Sequence, residues 1–473
     1  MRQGGVQLAV RVLCACCLGV AMATAWAGDE AVVEAIAETG NFESEPTLAA
    51  ADLVIPALLN GPGYRVRPSA TVHGFQASFV IETRWGELRA ESVELLAIRV
   101  SEIPALEALY SESVTEALVK SGAMAVAAPV RAVVNVAREP ETTLRGLPGG
   151  IWRFFSERAI KLAQQAKRLG SRADQRISHD GSPYDAADAP LTATRRPETE
   201  EDSWFGNLSE EVGRLAKSEL GFGAAKRALA ARLGVDPYSG NPLLRERLDR
   251  LAWSATVGKL GIGQAMSLLD PLVSATLDTA STVNRVVLEL PPEDLRRRND
   301  EALAPHCVDG ELRYQFLNFA RFSPTLQTEL TDRIAEMDLS AGCSDVLETA
   351  LMAQNEVEAR YVVNTLKLTQ AYLGERVAGG RWMGLGAVLS FETADGERIL
   401  PLPVDLLSWT ADTARWFGQQ ALWSHPQRSV ISNGQISVAA QRALTKAGWS
   451  LLTGLSYPGS PPYLRTLEMA PVR

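Results

Sequence analysis

The sequence predicts an α+β protein that is mostly helical. It predicts helical bundle regions, a small N-terminal antiparallel hairpin and a small C-terminal hairpin/α-β unit. Three observations carry this. Apolar residues recur at helical spacing through much of the second half, most densely from Leu233 to Leu290. Two stretches, Tyr64–Glu94 and Gly386–Val404, are rich in β formers and bounded by turn residues. An apolar fraction of 46% suits a soluble chain, and 473 residues exceed one ordinary core. The expected division is a signal segment (1–27), a mobile lead-in (28–60), a hairpin-plus-helices module (61–170), a flexible linker (171–206), a helical domain (207–380) and a small α/β region packed on it (381–473).

The first 27 residues read as a secretory signal. Arg2 and Arg11 give a positive start, Val12–Val20 is apolar, and Ala25-Trp26-Ala27 is a small-x-small cleavage site. A lipoprotein signal ending at Cys16 is the alternative. Cleavage after Ala27 removes Cys14, Cys16 and Cys17 and leaves Cys307 and Cys343. In an oxidising compartment these two form a disulfide candidate. Closing a loop of that length contributes about 3–4 kcal/mol in the chain-entropy model. The net charge of −9 becomes −11 once Arg2 and Arg11 are gone. Phosphate binding needs a basic footprint, so a nucleic-acid partner is not expected.

Within the module, Tyr64-Arg65-Val66-Arg67 alternates, Phe75–Glu82 is strand-like, and Arg84-Trp85-Gly86-Glu87 turns the chain. Helices follow over Val93–Ser101 and Pro104–Lys120, with Leu106, Leu109 and Leu118 inward. Gly122–Val136 reads as a further packed helix. Ile151–Leu169 is amphipathic, with Trp152, Phe154 and Phe155 at its start and a basic polar side. Such a helix covers a core or lies on an anionic membrane surface. From Ser171 to Gly206 few residues can bury anything, as in a linker.

After helical patterns at Glu210–Leu220 and Ala224–Leu233, Asp236-Pro237-Tyr238-Ser239-Gly240 is turn chemistry. Asn241-Pro242 is an N-cap with proline at the first helical position. The apolar pattern then runs through Trp253 to Leu290, read as a buried helical hairpin broken near Asp270-Pro271. Its alternative role is membrane association by residues 251–288. No uncharged run reaches the ~18–20 residues of a spanning helix. Ser323-Pro324 is a second N-cap, and Ser344 is expected to cap a helix reaching Leu373. One stripe of that helix reads Leu347, Leu351, Asn355, Glu358, Val362 and Leu366. Asp395-Gly396 joins two strands as a hairpin. Leu406–Trp423 reads as a helix with Trp409, Trp416 and Trp423 on one face. Val430–Leu452 reads as a strand–helix–strand unit.

No catalytic set emerges. His73, His179, His306 and His425 lack metal spacing, and no metal or cofactor motif is found. Gly261-Ile262-Gly263 lacks the strand and third small residue of a dinucleotide loop. Gly454-Leu455-Ser456 lacks the strand–turn–helix of a nucleophile elbow. The expectation is therefore an exported, periplasmic or secreted binding or structural protein, not an enzyme, with no cofactor. Its partner is a protein or another envelope component. Alternatives are a periplasmic hydrolase assembled from distant residues and a peripheral membrane protein. Trp152, Phe154, Phe155 and Trp253 are the candidate membrane or partner surface.

Overall fold

The computed structural model describes residues 42–121, 208–256, 260–269, 285–385, 388–418 and 425–461. About half of the protein is helix and about a fifth is strand, in several sheets, so it is a mixed α+β protein. The expected signal segment with Ala25 and Ala27 lies outside the described residues, as do the 122–136 run, the basic helix expected with Trp152, Phe154 and Phe155, and the linker expected over 171–206.

The first β region is larger than a hairpin. Strands β1 (Thr47–Ala49), β2 (Asn60–Gly61), β3 (Tyr64–Val66), β4 (Ser69–His73), β5 (Gln76–Thr83) and β6 (Gly86–Ala90) form one six-stranded antiparallel sheet. Long β5 is its centre: β4 and β3 share one edge of it, and β6 pairs along the other. β1 and β2 escape sequence reading because two or three residues carry no period. β1 sits in the segment expected as a lead-in, where Leu53, Val54 and Leu58 are buried, and β2 crosses its end. The β4–β5 turn is Gly74-Phe75, both at positive φ (56° and 68°), as a two-residue hairpin turn requires. Phe75 is an unusual occupant, and it is fully buried.

Helices α1 (Val93–Ser101), α2 (Ile103–Leu109) and α3 (Glu112–Lys120) follow. Ser92 and Ser111 cap α1 and α3 by accepting from Leu95 N and Val114 N. Leu106, Leu109 and Leu118 are buried, as their spacing implies. The single helix expected over Pro104–Lys120 is broken at Tyr110-Ser111, where the Ser111 cap restarts it.

The central hairpin differs from the expected one. Its arms are α4 (Leu208–Leu233) and α5 (Pro242–Thr256), pinned by a 2.8 Å ion pair between the buried Lys226 and Asp249. The two helical segments expected before Leu233 are one continuous helix. After Thr256 the expected long helix gives way to a short one, α6 (Ile262–Ser267), which Gly261 precedes at φ 72°. Residues 270–284, including the expected break at Asp270-Pro271, lie outside the described residues, and α7 (Arg285–Glu289) follows. Trp253 is partly buried against the core. Among the described residues, no helix is long and apolar enough to cross a membrane.

Next come α8 (Pro292–Leu303), α9 (Gly310–Leu317), α10 (Pro324–Glu336), α11 (Cys343–Ala350) and α12 (Glu356–Leu373). The helix expected from Ser344 to Leu373 is therefore two. Asn355 is the N-cap of α12, not a member of a stripe: its Oδ1 accepts from Glu358 N at 2.9 Å. Glu358 reaches back to accept from Gln354 N at 2.7 Å, a variant of the capping box. Cys307 and Cys343 are disulfide-bonded, with Cα atoms 5.3 Å apart, and both are buried. The denatured, unreduced chain from Gly28 onward is expected to release no thiol to Ellman's reagent, and two after reduction. Two thiols before reduction would mean that the cysteines do not pair.

The C-terminal strands fuse into one five-stranded sheet instead of a separate hairpin and α-β unit. They are β7 (Arg381–Leu385), β8 (Val388–Glu392), β9 (Arg398–Leu402), β11 (Arg428–Ser432) and β13 (Ser450–Leu452). β10 (Leu406–Leu407) and β12 (Gln435–Ile436) form a small parallel pair. β11 lies parallel to both β9 and β13, with α14 (Val438–Lys446) as the crossover to β13. Fusion follows because β11 is buried along most of its length and needs a neighbour on each side. The tryptophan helix shrinks to α13 (Ala411–Phe417): Thr410 is its N-cap, Trp409 precedes it, and Trp423 lies outside the described residues. Trp409 and Trp416 are both buried against Phe417.

Candidate functional site

The charged centre of the protein is built on the 234–241 loop between α4 and α5. Gly234 (φ 67°) lets the chain leave α4. Asp236 Oδ1 then accepts from Tyr238 N at 2.8 Å, fixing the turn, and from Thr325 Oγ1 of α10 at 2.8 Å. The Ser239 hydroxyl donates to Glu102 Oε1, and Asn241 Nδ2 donates to Glu102 Oε2 at 2.8 Å. Asn241 also caps α5 as its sequence implies, accepting from Leu243 N and Leu244 N. Gly240 has no room for a Cβ, which would overlap Glu356 Oε2.

That loop covers a chain of alternating charges between α1 and α12. Arg99 pairs with Glu102 at 3.4 Å and with Glu356 at 2.7 Å. Glu356 pairs with Arg360 at 3.0 Å, and Arg360 with Glu94 at 3.3 Å. Asn364 Nδ2 closes the series on Glu94 at 2.6 Å. Arg99, Glu102 and Glu94 are all buried. Burial pushes the Glu356 carboxyl up, but Arg99 and Arg360 outweigh it and hold it at about 2. Burial also opposes the charge on Arg360, which Glu356 and Glu94 keep protonated.

Above this series lies a cavity of about 640 Å³. Three helices line it with mostly polar residues at helical spacing. α1 and its C-cap give Glu94, Ile98, Ser101 and Glu102; α10 gives Thr325, Glu329, Asp332 and Arg333; α12 gives Arg360, Lys367, Gln370 and Ala371. Asp236 and Pro458-Gly459 complete the wall. Burial raises Glu329, but Lys367, 2.7 Å away, holds its carboxyl below the usual range. Asp236 goes the other way. Burial raises its carboxyl to about 6, against the hydrogen bonds from Tyr238 and Thr325.

A carboxyl raised on folding stabilises while it can be protonated, below about pH 4. That contribution is lost as pH rises through 6. Asp236→Asn, which keeps the acceptor for Tyr238 and Thr325, is expected to raise stability by about 2 kcal/mol at pH 7.5 and by little at pH 4. Urea unfolding at the two pH values checks this, and equal shifts at both would show that ionisation is not the cause.

The residues singled out in the sequence do not gather here. Cys307 and Cys343 form a structural link, and Trp253 packs on the core. His73 pairs with Glu45 at 3.3 Å beside the β4–β5 turn, where Glu45 Oε1 accepts from Phe75 N. Ser456 is exposed in an irregular segment, not at a strand–turn–helix elbow. Among the described residues no group of three or more His, Cys, Asp or Glu is placed to hold a metal ion. Glu94, Glu329, Arg360 and Lys367 escape sequence reading because charged stripes on helices ordinarily face water, and Asp236 because it reads as a turn residue. The one available signal is the reversal in α1, where Glu94, Arg99 and Glu102 interrupt the apolar run Leu95-Leu96-Ala97-Ile98. No family model, curated protein or solved structure matches the chain.

Proposed function

We propose that this is an exported binding protein, not an enzyme, which holds a small polar ligand in the cavity between α1, α10 and α12. The observation that carries the reading is the cavity itself. It is large enough for a small molecule, and its convergent polar groups stand on an ionic series that fixes their positions before anything binds. The signal-like start with Ala25-Trp26-Ala27 supports export to the periplasm or medium. The cleavage, the compartment and any envelope partner are parts of this proposal.

The test is a thermal-shift screen of small polar molecules on the full chain and on Ala371→Trp. Ala371 is exposed on the cavity wall, so the larger side chain fills space without entering the core. A ligand that raises Tm of the parent and not of Ala371→Trp supports the reading. Ligands that act equally on both would place binding elsewhere and overturn it.

A second reading, hydrolysis, has one observation in its favour. Asp236 and Glu329 line the same cavity with their carboxyls pushed in opposite directions, which is how one environment makes an acid and another a base. Turnover of an ester or glycoside panel that disappears in Asp236→Asn would replace binding with catalysis. The membrane reading of 251–288 and of Trp152, Phe154 and Phe155 has a separate test, flotation with anionic liposomes at low salt. Absence from the lipid fraction removes it.

A further inference from the structure

The charge balance of the cavity wall identifies the chemistry of its occupant. Four of its five carboxylates have a cation of the protein beside them. Glu94 has Arg360 at 3.3 Å, Glu102 has Arg99 at 3.4 Å, Glu329 has Lys367 at 2.7 Å and Asp332 has Arg298 at 2.5 Å. The remaining wall cation, Arg333, is held by Glu336 at 2.9 Å and by Gln370 at 3.0 Å. Asp236 is the exception. Its Oδ1 takes the Tyr238 and Thr325 hydrogen bonds, and among the described residues it has no ion-pair partner within 4 Å and no donor to Oδ2; Arg360 acts on it only from longer range and is paired with Glu356 and Glu94. Asp236 is partly buried, and burial still raises its carboxyl, so a cation brought beside its free oxygen would favour the ionised form.

We propose that the cavity binds an organic ammonium ion, a primary amine or diamine, whose N–H groups donate to Asp236. This rests on the reading of the cavity as a ligand site. An anion is disfavoured because every wall cation is already shared with a protein acceptor. A bare metal ion is disfavoured because no set of three or more ligands surrounds Asp236 among the described residues. Ile98 and Leu326 offer apolar wall for an aliphatic stem.

Binding requires ionised Asp236, so affinity is expected to be about tenfold weaker at pH 5 than at pH 7.5. The other charged groups facing it are Glu329 on α10, Glu356 and Arg360 on α12, and Glu94 and Glu102 on α1. Glu329 and Glu356 are held below the usual carboxylate range and Arg360 above its own, so those three keep their charge across that window.

The experiment is calorimetric titration of the full chain with putrescine, with glutarate and glucose as anionic and neutral probes. Putrescine is expected to bind the parent, to bind Asp236→Asn at least tenfold more weakly, and not to bind Ala371→Trp. Asp236→Asn is expected to melt no lower than the parent, so weaker binding would not reflect unfolding. Equal putrescine affinity in the parent and Asp236→Asn overturns the inference. Glutarate or glucose binding that Ala371→Trp blocks, without putrescine binding, overturns the ammonium assignment and leaves the binding site standing. Silence of all three probes counts against both.

Discussion

Replacing Arg360 with Met lowers the free energy of unfolding by about 3–5 kcal/mol at pH 7, the range for breaking a buried ion pair from one side. Methionine keeps much of the stem volume, so lost charge is the main change. The variant takes a cation from two carboxylates: Glu356, met by Arg360 at 3.0 Å and left with Arg99 at 2.7 Å, and Glu94, met at 3.3 Å and left with the hydrogen bond from Asn364. The pH dependence separates charge from packing. Glu356 is held at about 2, below its ordinary 4.5, so its pairing stabilises fully above pH 4.5 and progressively less as pH falls towards 2. The deficit of Arg360→Met should therefore shrink between pH 7 and pH 3. A deficit of the same size at both pH values would point to packing.

Asp405→Ala has a comparable expected effect, about 4 kcal/mol, through unsatisfied backbone donors. Asp405 is buried, and its Oδ2 accepts from Ala77 N of β5 at 2.8 Å and from Val93 N of α1 at 3.1 Å. Alanine leaves both N–H groups without an acceptor in a place water does not reach. Asp405→Asn retains an acceptor oxygen of the same shape and should recover most of the loss. Chemical denaturation of the two variants checks this, and hydrogen exchange localises it, with the Ala77 and Val93 amides losing protection first. If asparagine damages the protein as much as alanine, the negative charge rather than the acceptor is what matters.

The sequence was readable where a local rule decides the outcome. Ser323-Pro324 and Asn241-Pro242 start helices because their side chains satisfy nearby N–H groups, and Asp395-Gly396 makes its turn with Gly396 at φ 88°. Val93–Ser101 has the expected limits because an apolar run meets a serine cap. It misled where a side chain has two uses. Asn355 fits a helical stripe by spacing, yet it caps a new helix. Trp409 and Trp416 fit a seven-residue repeat, yet only Trp416 is in the helix. The fusion of the C-terminal strands depends on a parallel pairing that no local pattern encodes. The site was hidden for the same reason. Asp236 looks like an ordinary turn residue until Thr325, 89 positions later, folds onto it.

The bonds from Asp405 to Ala77 and Val93 span 328 and 312 residues. Phe75 O accepts from Asp405 N and Leu406 N across a similar distance, and Glu43 accepts from Trp409 N and the Ser437 hydroxyl. The first sheet is thus held by residues made more than 300 positions later. Contacts so remote in sequence carry a large loop-closure cost before they reward the chain, so folding should be slow and late in its final step. A truncated chain ending near residue 400 would carry an N-terminal sheet with an open seam, its Phe75 turn and its Ala77 and Val93 amides exposed. Such a fragment is expected to aggregate, so the order in which this protein is completed matters as much as the stability it reaches.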